Sequence, residues 1–232
     1  MSEKPVQSFF QALTSGCSCH RPKEQTLIYK LSSKATVVTM EPKYAVHSHI
    51  AEFWCTITSS FFALPILVLR EYSYSTLPGI LQTSIFLSVL CATVSTIYHW
   101  NLMKLFSSCD AAFATMMMGL NTFALALPYA TFATSTTYLH LMLILAVIFL
   151  IRWENTASTS VVLCTIIAPV KVYILITTGQ YAAAFFGVTG ISCFLLDRLN
   201  VAPVHSFWHI LGGLCLYYTV LGLLTNNSVP MI

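Results

Sequence analysis

Apolar positions along this chain gather into runs of roughly twenty residues, separated by short polar breaks. A helix needs about that many residues to cross a hydrocarbon core of ~30 Å. The runs predict seven membrane spans, at about 49–70, 78–100, 109–130, 132–151, 157–177, 180–198 and 205–225. Pro78, the Pro128–Ala130 stretch, the polar break from Arg152 to Thr156, Gly179 and Pro203 punctuate them. The break between residues 125 and 140 is the weakest, and a six- or eight-span division is the alternative there. No repeat or low-complexity tract occurs. Residues 1–48 are mostly polar, with no apolar signal-peptide core, so the first span is expected to act as the insertion signal. The expected architecture is an all-α seven-helix bundle, residues 49–232, behind a polar N-terminal tail, residues 1–48.

Composition agrees with a membrane domain and leaves no room for a separate soluble one. Of 232 residues, 56% are hydrophobic and 8% charged, against about 25% charged in a soluble domain. The formal charge of +3 carries no nucleic-acid signal; its distribution is more informative. Lys4, Arg21, Lys23, Lys30, Lys34 and Lys43 precede the first span. Lys104, Arg152 and Arg198 fall in loops on the same side, and Arg70 alone falls opposite. Basic residues favour the cytosolic face, so the N-terminus is expected there. The eight cysteines form no disulfide framework; Cys55, Cys91, Cys164, Cys193 and Cys215 lie within apolar runs as small hydrophobes. Cys17 and Cys19 belong to the tail, where lipidation or metal binding is the alternative to a plain reduced segment.

Ionisable residues in or beside the spans carry the chemistry, because burying them in lipid is costly. Ser95 and His99 are four apart at the end of span two, and His205 and His209 four apart at the start of span seven. Residues i and i+4 share a helix face, so His205 and His209 can approach one ion. Asp110 is expected to open span three. Folding the spans up and down brings Ser95, His99, Asp110, His205 and His209 to one depth on the N-terminal side. One histidine at a helix end is an ordinary interfacial residue; three at one depth point to a metal. Three histidines with an open position are a catalytic zinc arrangement, in which zinc lowers the pKa of water to about 7. Asp110 would then carry the proton, and the Ser95 hydroxyl would stabilise an oxyanion. His20, His47, His49 and His140 have no partner spacing. Lys171 falls within span five, facing a cavity or a buried carboxylate. Asp197 is either its partner or an outer support for a zinc-binding histidine. Met116, Met117 and Met118 are expected to pack or to line a lipid-tail site.

The segment Ser95-Thr-Ile-Tyr-His99, then Asp110, then His205-Ser-Phe-Trp-His209 resembles the signature of the CREST superfamily of seven-helix membrane hydrolases. That signature also admits the progestin and adiponectin receptor family. A second stretch, Glu41-Pro-Lys-Tyr44 followed by Ile50-Ala-Glu52-Phe-Trp54-Cys-Thr56, looks like the opening of the alkaline ceramidases. Their pattern there is Glu-x-x-Tyr, then Ile-Ala-Glu-Phe-Trp-Asn-Thr. The resemblance runs from about Glu41 to Leu224. It implies hydrolysis of ceramide, or a related sphingolipid, to sphingosine and a fatty acid in an endoplasmic reticulum or Golgi membrane. It also implies zinc on His99, His205 and His209, Asp110 as general base and Ser95 as oxyanion support. Glu41 and Glu52 match two ligands of the family's calcium site, but Val38 replaces an aspartate and Lys43 an asparagine. Calcium takes six or more oxygens, so this would be a degraded site. Lys43 is expected to neutralise Glu41 or Glu52 in its place, or else to snorkel to the interface. Cys55, Ser59 and Ala111 replace family Asn, Asn and Glu, so substrate preference does not carry over. The rival class is a heptahelical receptor or lipid-binding protein with a structural zinc, which would not need Ser95 and Asp110. A transporter would rest on Lys171 and Asp197 alone.

Overall fold

The computed structural model describes residues 27–127 and 136–226. Among these the chain is helical, with no strand and one isolated bridge between Lys34 and Met103. A short helix, α1 (Leu27–Ser32), precedes seven longer segments. These are α2 (Phe53–Arg70), α3 (Gly79–Asn101), α4 (Lys104–Ala126), α5 (Thr137–Ile151), α6 (Thr156–Thr177), α7 (Tyr181–Arg198) and α8 (His205–Asn226). Five are long and apolar enough to cross a membrane: α2, α3, α4, α6 with the turn before it, and α8. The α5 helix is apolar but shorter, and α7 ends on the charged pair Asp197–Arg198. Leu143, Leu150, Ile166 and Phe185 are all exposed on α5, α6 and α7. Such outward apolar faces belong in lipid, and the chain is a multi-helix membrane protein.

Packing follows a ring. The α8 helix lies against α7 and α2, α2 against α3, α3 against α4, and α4 against α6, while α6 returns to α7. The α5 helix rests on the outside of α4. Only the first six residues of α2, Phe53–Thr58, are α-helical; Ser59–Arg70 is a 3-10 helix containing Pro65. Twelve 3-10 residues at ~2.0 Å rise cover about 24 Å, where an α-helix would cover about 18 Å. An 18-residue segment thus reaches nearly as far as its longer neighbours. Its backbone is in direct contact with α8: a Cβ placed on Gly213 would lie 2.1 Å from the Phe61 carbonyl oxygen. Small residues at such crossings let helices approach where lipid supplies no hydrophobic drive.

Three boundaries differ from the hydropathy reading. Residues 49–52 are not helical, because the Ala51 and Glu52 amides bond the Trp100 and His99 carbonyls at the end of α3. The third span starts at Lys104 rather than 109, so Asp110 sits in the second turn instead of opening the helix. The cause is tertiary: the Lys104 amide donates to the Ser33 carbonyl at 2.8 Å, and its ammonium donates to the Glu154 carbonyl at 3.2 Å. Leu102, buried in a left-handed conformation (φ 56°), makes the tight reversal from α3 to α4. The described start of the fourth span is Thr137; residues 128–135, where the six- or eight-span alternative falls, lie outside the described residues. So do His20, Cys17 and Cys19. From residue 33 onward, the supposed tail packs on the helix ends, with Ala35 bonded to the Leu102 carbonyl.

Gly213→Ala is expected to destabilise the bundle by about 1–3 kcal/mol through overpacking against Phe61. Thermal unfolding of the detergent-solubilised protein checks this, with the lipid-facing Leu150→Ala expected to change the midpoint little.

Candidate metal centre

Alternating helix directions bring the last turn of α3, the second turn of α4 and the first two turns of α8 together. His99, His205 and His209 meet there, with ring centroids 5.5 Å (99–205), 4.9 Å (99–209) and 4.9 Å (205–209) apart. One ligand nitrogen from each lies within 4.8 Å of the other two. His99 and His209 are fully buried and His205 nearly so.

Each ring has its Nδ1 beside a protein acceptor. His99 Nδ1 donates to Glu52 Oε2. His209 Nδ1 donates to the Cys55 carbonyl at 3.1 Å, with the Thr58 and Ser59 hydroxyls at 3.1 and 3.3 Å. His205 Nδ1 is 3.4 Å from Asp197 Oδ2, too poorly aligned for a good hydrogen bond, and neither atom has another partner. An Nδ1 engaged this way leaves Nε2 as the coordinating nitrogen. His99 Nε2 is buried without a hydrogen-bond partner. An orphaned imidazole nitrogen beside two more imidazoles, with His99 and His209 braced from behind, fits a metal ion.

No family model and no curated protein matches this chain. The geometry of the site therefore carries the functional reading.

Glu52 is the hub behind His99. Its Oε1 accepts from the Thr39 amide at 3.0 Å, the Thr39 hydroxyl at 2.9 Å and the Lys43 ammonium. Burial pushes the Glu52 carboxyl up, but His99 and Lys43 hold it down to about 2, so it stays ionised. Lys43 also donates to the Thr39 and Glu41 carbonyls, both at 2.7 Å. Glu41 accepts from the Trp54 and Cys55 amides at 2.7 and 2.9 Å, capping the start of α2. Both carboxylates are thus engaged, and the Lys43 ammonium lies against that of Glu52. Glu52, Cys55 and His99 are also close enough to hold a metal. Glu52, however, already spends both oxygens on four donors, which favours the histidine trio.

Ser95, one turn before His99, is fully buried, with its Oγ 3.0 Å from Ser59 Oγ. Asp110, in the second turn of α4, lines the same cavity as His99, His205 and His209 and lies close to Ser95. A cavity of about 360 Å³ includes His99, Asp110, His205 and His209 in its wall. It continues along α6 to Leu175, past Met117 and Met118 of α4 and Gly187 of α7.

All five residues expected to carry chemistry come together, and Glu41 and Glu52 lie directly behind them. His47, His49 and His140 are exposed and stand apart. The six described cysteines are free, as expected. Asp197 lies beside His205 rather than paired with Lys171, and its Oδ1 accepts the Met40 amide at 3.0 Å. The bracing of His99 by Glu52, and of His209 by Cys55, Thr58 and Ser59, was missed. The one available signal was that a buried glutamate and a buried histidine each require a partner; for Thr58 and Ser59 no signal existed.

Replacing an outer partner of a metal-binding histidine typically costs 10–100-fold in affinity. Glu52→Gln is accordingly expected to weaken metal binding by roughly that factor, measured by competition with a chelator of known affinity. Unchanged affinity would remove Glu52 from that role.

Proposed function

We propose that this protein is an intramembrane amide hydrolase that cleaves ceramide, or a close sphingolipid relative, to sphingosine and a fatty acid. One observation carries the reading: three clustered histidines, two of them braced at Nδ1, stand with Asp110 on the wall of a largely apolar cavity within membrane helices, with Ser95 buried one turn before His99. The preferred ion is zinc, on a three-imidazole donor set with room for a further ligand.

Bound at His99, His205 and His209, zinc supplies Lewis acidity and a lowered water pKa. Asp110 accepts the proton of the attacking water and delivers it to the amide nitrogen as the C–N bond breaks. Water oxygen becomes part of the fatty-acid carboxylate, and the nitrogen leaves as the amine of sphingosine. The Ser95 hydroxyl donates to the oxygen that gains negative charge at the amide carbon. The cavity suits a lipid whose tail lies among α4, α6, α7 and α8 while its amide reaches the histidines.

The same reading takes α5 and α7 as spans beside the five apolar helices, which makes seven. It places the site at the cytosolic face with the N-terminal segment, in an endoplasmic reticulum or Golgi membrane. It also assigns Lys43 the place of a divalent cation, holding Glu52 without calcium.

Purified protein is expected to release sphingosine from ceramide, and Asp110→Asn to lower the rate by about 10²–10⁴-fold, the range of one general base. A rate unaffected by that substitution would reject the assignment. Bound zinc without any release, under conditions where a known ceramidase is active, would favour the receptor or lipid-binding class. Calcium chelation is expected to leave the rate unchanged; activity restored only by added calcium would overturn the role given to Lys43.

A further inference from the structure

Lys171 stands apart from everything used so far. It belongs to α6, the least buried of the five long apolar spans. Only Thr156, Lys171 and Leu175 of α6 are buried. The pattern is inverted relative to a lipid-facing helix with a solvated charge: apolar residues face out and the one charged residue faces in. Lys171 is 6% exposed and lines the cavity. It makes no hydrogen bond or ion pair among the described residues. Asp197, the carboxylate suggested for it by sequence, is beside His205 and the Met40 amide instead.

Depth separates Lys171 from the metal centre. Ser160 donates to the Ala111 carbonyl at 3.3 Å, which fixes that part of α6 at the level of Asp110. Lys171 lies eleven residues further on, about 16 Å along the helix. The cavity wall on α6 extends from Ala157 to Leu175, about 27 Å. Its volume of about 360 Å³ lies within the range of small-molecule pockets. Between the two polar stations the wall is largely apolar, with Met117, Met118 and Ala168. An unpaired ionisable group within a membrane span is costly, and such residues pair with one another or serve as counter-ions to bound ligands.

We propose that the deep end of this cavity is a second binding site, for a long-chain carboxylate, in which Lys171 is the counter-ion. The ligand class follows from the two features together: an elongated apolar channel takes an alkyl chain, and a lone ammonium within it takes an anionic end group. A free fatty acid enters carboxylate-first toward Lys171 and leaves its methyl end toward the histidines. The proposal stands apart from the reading of the metal centre, since it concerns binding and requires no reaction.

The experiment is equilibrium binding of radiolabelled palmitate and of hexadecanol, its uncharged counterpart, to the full chain in lipid nanodiscs, corrected for partition into empty discs. Wild type is expected to prefer palmitate by roughly 10- to 100-fold, the range of a hydrogen bond to a charged group. Lys171→Met is expected to abolish that preference while binding hexadecanol as wild type does, which also reports that the cavity is intact. Lys171→Arg is expected to retain it. The preference is expected to survive removal of metal. Equal binding of the two ligands by wild type, or a preference that persists in Lys171→Met, would overturn the proposal. So would a preference lost on metal removal but kept in Lys171→Met, since the carboxylate would then be on the metal.

Discussion

A single carboxylate ties the site to the fold. Glu52 is completely buried just before the first span, where an unpaired charge would be severely destabilising. It is satisfied only because Thr39, Lys43 and His99 all reach it. Two of those partners come from the segment before α2 and one from the end of α3. The same interaction therefore docks the N-terminal segment, seats the start of α2 and orients His99. Removing any one partner leaves the others facing a buried charge.

The surroundings of the three histidines extend this economy to charge. Glu41, Glu52, Asp110 and Asp197 bring four carboxyl groups to one region, and Lys43 and Arg198 bring two cationic groups. The acidic groups outnumber the basic ones, which suits a cation at the histidines. His209 is braced by a neutral carbonyl and two hydroxyls rather than by a third carboxylate, which is consistent with that balance.

Much of the helix layout was legible because apolar runs of spanning length have few other uses. The starts of α3, α6, α7 and α8 fall within a residue of their expected positions for that reason. The start of α4 was not legible, since Lys104 is helical through contacts with Ser33 and Glu154 that hydropathy does not register. Nor was the 3-10 winding of α2, whose sequence reads as an ordinary apolar helix apart from Pro65. At the site, His205 and His209 were readable from their four-residue spacing, and Ser95, His99 and Asp110 from the common depth of helix ends. The pairing of Glu52 with His99 joins residues 47 apart, and nothing local in either segment specifies the other. Lys171 was visible as an anomaly, but only the position of Asp197 showed that its suggested partner was engaged elsewhere.

The pairing of Glu52 with His99 also has a bearing on how the molecule is made. His99 leaves the ribosome about a hundred residues before His205, an interval of roughly 5–20 s at ordinary elongation rates. Throughout it the nascent chain holds one imidazole of an incomplete metal centre at the membrane surface. Glu52 and Lys43 are already synthesised by then, so the Nδ1 side of that ring can be engaged before α8 arrives. The contact that orients His99 in the finished protein is thus assembled entirely from the earlier half of the chain.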